Sequence, residues 1–145
     1  MKKVLFVCLH NSARSQMAEA FLKQSCSEFF HVESAGTQPR ELNPVAVEAM
    51  AELGIDISQN KTKSIFPFIR ERPPFDFVIS VCDESTREHC PAFPGNARYL
   101  QWSFPDPSTF TGSHKEQLTR TREVRDAIKA RVQAWCDEMC AAELA

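Results

Sequence analysis

A cysteine at position 8 and an arginine at position 14 enclose five residues, L-H-N-S-A. That arrangement suits nucleophilic attack on a tetrahedral oxyanion. Loop N–H groups and the first unpaired N–H groups of a following helix converge on one point. The guanidinium of Arg14 adds a two-pronged donor for two anion oxygens. The same positive field favours the thiolate of Cys8, the nucleophilic form. Asn11 tolerates a left-handed backbone and can bond back into the loop, while the hydroxyls of Ser12 and Ser15 can donate to the loop or to the sulfur. A lone cysteine at a strand end is more often a small buried hydrophobe. Here a polar loop lies between an apolar strand and a helix start, and that context favours chemistry.

Other reactive side chains lie further along. Cys82 closes an apolar run, and Cys90 follows in the polar segment D-E-S-T-R-E-H. Each could be an incidental thiol, although polar surroundings are unusual for a structural cysteine at position 90. Asp106 stands between Pro105 and Pro107, which restrict the backbone and aim its carboxylate; a solvated turn is the ordinary use of such an Asp. Cys26, near the end of the first helix, reads as packing. Cys136 and Cys140 share one face of the last helix and read as partly buried.

The elements that position these groups alternate in type. Residues 3–8 form a short apolar, β-branched run, the pattern of a buried parallel strand. Met17, Ala18, Phe21 and Leu22 then fall on one helical face. Residues 31–34 give a second strand, ended by Ala35-Gly36. Asn43-Pro44 starts a helix through Val47, Met50 and Leu53 that stops at Gly54. Residues 57–75 are polar and Pro-bearing, with Phe66, Phe68 and Ile69 expected to tuck under the fold. Residues 76–82 make a third strand, 83–96 a loop or lid, and 97–102 a fourth strand. Val124, Ile128, Val132, Trp135 and Met139 form one stripe on a long helix from about 115 to 139. This alternation predicts a single α/β domain over 1–145, with a parallel sheet and helices on both faces.

Composition narrows the function. Lys plus Arg total 17 and Asp plus Glu total 19, a net charge of −2, which argues against a nucleic-acid binder. No stretch approaches the roughly 20 apolar residues of a membrane helix, and the start lacks a signal-peptide pattern. A cytoplasmic protein is expected. Six cysteines without a secretory signal suggest metal, redox or catalytic use rather than a disulfide framework, and the absence of Cys-x-x-Cys disfavours a zinc ribbon.

V-C-L-H-N-S-A-R-S-Q-M-A-E-A resembles the active-site loop of the low-molecular-weight tyrosine phosphatase fold, and specifically that of the thioredoxin-coupled arsenate reductases. The likeness continues through S-A-G (34–36), N-P-x-A-V (43–47), G-I-D-I-S (54–58), the Cys82–Cys90 segment and D-P (106–107), and so covers most of the chain. The resemblance implies a four-stranded parallel sheet with the site after the first strand. It implies that Leu9, His10, Asn11, Ser12, Ala13, Arg14 and Ser15 bind arsenate, with phosphate or sulfate as mimics. Cys8 would attack arsenic while Asp106 protonates the departing oxygen. Cys82 and then Cys90 would resolve the adduct, and thioredoxin would reduce the resulting disulfide. The family usually spaces these two cysteines one residue closer. His10 is expected to face solvent. Asn11, Glu19 and Ser34 match the family's cation site, but K-T-K-S (61–64) replaces an expected acidic ligand, so Lys63 is expected to supply the positive charge. No cofactor or metal is expected, and the working unit is expected to be a monomer. The rival reading is an aryl phosphatase using Cys8, Arg14 and Asp106. Against it stand Gln16 where such phosphatases carry Pro, and Ser108-Thr109 where they carry aromatic residues.

Overall fold

The computed structural model describes residues 1–83, 93 and 95–144. The apolar run at the start forms β1 (Lys2–Cys8), whose residues Val4 to Val7 are fully buried. Three further strands follow: β2 (Phe30–Gly36), β3 (Phe77–Ser80) and β4 (Arg98–Gln101). They make one four-stranded parallel sheet in the order β2-β1-β3-β4, with β1 central. Central position explains why β1 is apolar on both sides: each face must meet a separate core.

One face carries Val4, Phe6 and Cys8 of β1. It packs on α1 (Arg14–Cys26), α2 (Pro44–Ala51) and α4 (His114–Leu144). The stripe Val124, Ile128, Val132 and Trp135 is buried as its spacing predicts. Trp135 anchors α4 through ring contacts with Phe30, Phe77 and Trp102, at centroid distances of 5.0, 5.2 and 6.1 Å. The other face, with Leu5, Val7 and Val78, is covered more thinly. Ile65, Phe75 and Phe93 lie there, with Phe68 and Ile69 of a one-turn helix, α3 (Phe66–Ile69), against them.

Three expectations need correction. Phe66 is not tucked under: it is 64% exposed, because Ile65 takes the buried place and the next residue must turn outward. Cys26 does more than pack, since it is joined to Cys136 as a disulfide. The last helix runs past Met139 to Leu144. Most of the 83–96 lid, including Cys90, lies outside the described residues.

Candidate active site

The site stands at the carboxyl end of β1, where an open α/β sheet presents its loops. β1 ends at Cys8, the chain turns through residues 9–13, and α1 begins at Arg14. Three outward carbonyls shape this loop. Leu9 O accepts from Gln38 N at 2.8 Å, His10 O from Arg40 N at 3.2 Å, and Ser12 O from Asn43 N at 2.9 Å. In a trans peptide the next N–H points the opposite way. The N–H groups of His10, Asn11 and Ala13 therefore turn inward. That of Asn11 reaches Cys8 Sγ at 3.2 Å.

The start of α1 adds to this donor set. Ala13 precedes it and has no side-chain oxygen to cap the first turn. By contrast, α2 is closed by Asn43, whose Oδ1 accepts from Val45 N and Ala46 N at 2.9 and 3.2 Å. The uncapped end of α1 thus keeps its dipole and N–H groups for an anion.

Asn11 is the hub of the buried network. Its φ of 52° is left-handed, as its residue type allows. Its Oδ1 accepts from Lys63 N at 2.9 Å and Gln16 Nε2 at 3.0 Å. The backbone N–H of Lys63 can only donate, so this fixes the amide orientation. Nδ2 then donates to Ser15 Oγ at 2.7 Å and Ser34 Oγ at 3.0 Å. Ser34 passes its own hydrogen to Glu19 Oε1. Ser15, receiving from Asn11, has its hydrogen free for Cys8 Sγ, 2.9 Å away. The sulfur therefore faces two hydrogen-bond donors.

Arg14 is 2% exposed. Its Nη1 donates to Phe104 O at 3.3 Å, and its Nη2 lies 3.4 Å from Asp106 Oδ2. Asp106 Oδ1 accepts from Ser108 N at 3.0 Å and caps a short 3-10 turn, Pro107–Thr109. The turn brings the carboxylate to the loop. A cleft of about 320 Å³ opens beside it, lined in part by His10, Ser12, Arg40, Ser108 and Phe110. His10 is a correction: it is 6% exposed rather than solvent-facing. The 38–43 segment folds over it, and its Nδ1 bonds Gln38 O at 3.0 Å.

Cys82 is a buried cysteine just beyond β3. Val7 pairs with Ser80, so the register sets Cys8 level with Val81 and Cys82 one residue further along the same sheet edge. Both cysteines belong to one apolar cluster. Cys90, the other cysteine expected to take part, is outside the described residues. Lys63 Nζ stands 3.5 Å from Glu19 Oε1 and 3.2 Å from Glu33 Oε2, so an ammonium lies beside the Asn11–Ser34–Glu19 network as expected.

Sequence reasoning did not single out Gly36. It pairs with Cys8 in the sheet, and a Cβ there would come within 2.7 Å of Leu9 O and 2.9 Å of Asn11 N. Only glycine lets the loop backbone lie this close. The cue was present in S-A-G at a strand end. The role of 38–43 had no such cue, because it acts through backbone groups.

The model of a family described as low molecular weight phosphotyrosine protein phosphatase matches residues 3–144. An arsenate reductase from Halalkalibacterium halodurans is 36% identical over 136 residues, 94% of this chain and 96% of that one. A solved arsenate reductase in a phosphate-binding state is 32% identical, with a TM-score of 0.74 over 95% of this chain and 98% of the other. A thioredoxin-dependent arsenate reductase from Corynebacterium glutamicum is 28% identical with a TM-score of 0.69, over 98% of this chain and 63% of that one. With the loop, its helix and the sheet order all in agreement, the chain belongs to the low molecular weight phosphotyrosine protein phosphatase family, and relatives matched over nearly its whole length are arsenate reductases.

Proposed function

We propose that this protein reduces arsenate to arsenite by a three-thiol relay. The observation that carries the reading is a second cysteine, Cys82, buried at the sheet edge that also presents Cys8. A phosphatase needs one thiol there; a two-electron reduction needs a pair.

Arsenate enters the loop as a tetrahedral anion, and Arg14 turns its fork from Phe104 O and Asp106 to two arsenate oxygens. The Cys8 thiolate attacks arsenic while Asp106 donates a proton to the departing oxygen, which leaves as water. Cys82 then attacks the Cys8 sulfur. The sulfur–arsenic bond breaks, its electron pair stays on arsenic, and arsenite departs from a Cys8–Cys82 disulfide. Cys90 attacks Cys82, frees Cys8 and leaves a Cys82–Cys90 disulfide for an external dithiol to reduce. Thioredoxin fills that role, a choice supported by the thioredoxin-dependent relative. We take a single chain as the working unit. No helix among the described residues is long and apolar enough to cross a membrane, in keeping with a cytoplasmic setting.

The aryl phosphatase chemistry shares Cys8, Arg14 and Asp106, and Phe110 gives the cleft one aromatic wall. Weak hydrolysis of an aryl phosphate is expected alongside reduction. Cys82→Ala separates the two. Arsenate turnover with thioredoxin should fall at least a hundredfold while aryl phosphate hydrolysis stays within about threefold. Equal arsenate turnover in wild type and variant would refute the relay.

A further inference from the structure

Three cysteines outside the relay converge between the end of α1 and the C-terminal third of α4. Cys26 and Cys136 are joined as a disulfide, and Cys140 Sγ lies 3.8 Å from Cys26 Sγ. All three sulfurs lie within 4.8 Å of one another. Cys26 and Cys136 are buried in the main core; Cys140, one helical turn beyond Cys136, is partly exposed. Cys26 ends the 13-residue helix that Arg14 begins, so the group sits about 18 Å from the active-site loop along α1. That distance separates it from the relay.

We propose that the reduced form of this group is a binding site for trivalent arsenic. A point equidistant from three sulfurs spaced this closely lies within about 2.8 Å of each, near the roughly 2.3 Å of a metal–thiolate bond. The number of ligands favours arsenic over zinc. Zinc at a structural site takes four ligands. Among the described residues, the group holds three cysteines and no fourth His, Cys, Asp or Glu. Trivalent arsenic keeps a lone pair and takes three thiolates in a pyramid. The apolar surroundings also shield arsenic–sulfur bonds from water.

The chemistry balances without an oxidant. A dithiol reductant first opens the Cys26–Cys136 disulfide and is itself oxidised to a disulfide. Arsenous acid then exchanges its three hydroxyls for three thiols, releasing three waters, and arsenic stays trivalent throughout. Cys140 is the entry point, since its sulfur is the accessible one. The choice of arsenic rests on the reductase reading, in which arsenite is the product; the site itself is built from different residues.

The test uses the full chain with Cys8, Cys82 and Cys90 changed to Ser, reduced with a phosphine. Native mass spectrometry after arsenite addition should show one arsenic per chain, with three hydrogens lost, and X-ray absorption should show three sulfur neighbours. Adding Cys140→Ser should weaken uptake at least tenfold and leave two sulfur neighbours. Circular dichroism checks that both proteins remain folded. No uptake by the folded chain, equal affinity without Cys140, or preferential retention of zinc would each overturn the proposal. Cys140→Ser in the otherwise wild-type chain should leave arsenate turnover within twofold. Failure of arsenite uptake is thereby distinguishable from failure of the relay.

Discussion

Asn11 ties the loop's backbone to its sulfur. It holds a left-handed φ, sends its own N–H to Cys8 and orients Ser15 toward the same sulfur. Asn11→Ala removes the amide network and leaves Lys63 N and Ser34 short of partners, at a cost of about 1–3 kcal/mol. Asn11→Gly restores the backbone freedom but not the amide. Both variants should slow alkylation of Cys8 by iodoacetamide at neutral pH, and glycine should recover only part of the thermal stability. Retention of wild-type alkylation in Asn11→Gly would locate the effect in the backbone alone. At this scale much of the site was legible. Cys8, Asn11, Arg14 and Ser15 followed from residue type and spacing, and Asp106 from its prolines and the family likeness. His10 was misread because its burial depends on a segment nearly thirty residues away.

Elements place these residues, and the end of β2 illustrates how tightly. Gly36 lies against the backbone of Leu9 and Asn11, atoms that cannot rotate away. Gly36→Ala should destabilise the protein by about 1–3 kcal/mol, by analogy with overpacked cores, and should lower arsenate turnover by displacing the loop. Thermal unfolding and steady-state turnover measure both, and an unchanged melting temperature would show that the loop can yield. Hydrophobic periodicity revealed α4, and short apolar runs revealed β1 and β3, because each is buried; β4 is mostly exposed and carries a weaker signal. Periodicity gave no signal for α3, a single turn holding Pro67 within a polar stretch. Nor did it pair Cys26 with Cys136, since periodicity along one helix carries no information about what crosses it.

The molecule as a whole depends on α4 staying docked. Besides the Trp135 cluster, Glu52 just beyond α2 bonds Arg122 and Arg125 of α4. Hydrogen bonds from Arg122 and then Arg125 lower the Glu52 carboxyl from 4.5 to about 2. A carboxyl lowered on folding stabilises fully above its unfolded value. That contribution is lost as pH falls from 4.5 through about 2. The melting-temperature gap between wild type and Glu52→Gln should therefore be largest above pH 5 and shrink toward pH 2. A gap independent of pH would assign the effect to packing.

Single-turnover treatment of the reduced protein with arsenate, in the absence of any other reductant, tests the relay most directly. Quantifying arsenite and mapping disulfides by mass spectrometry should give one arsenite per chain, a new Cys82–Cys90 bridge and a free Cys8 thiol. Arsenite formed without oxidation of Cys82, or no arsenite from a folded chain that still hydrolyses aryl phosphates, would contradict the account.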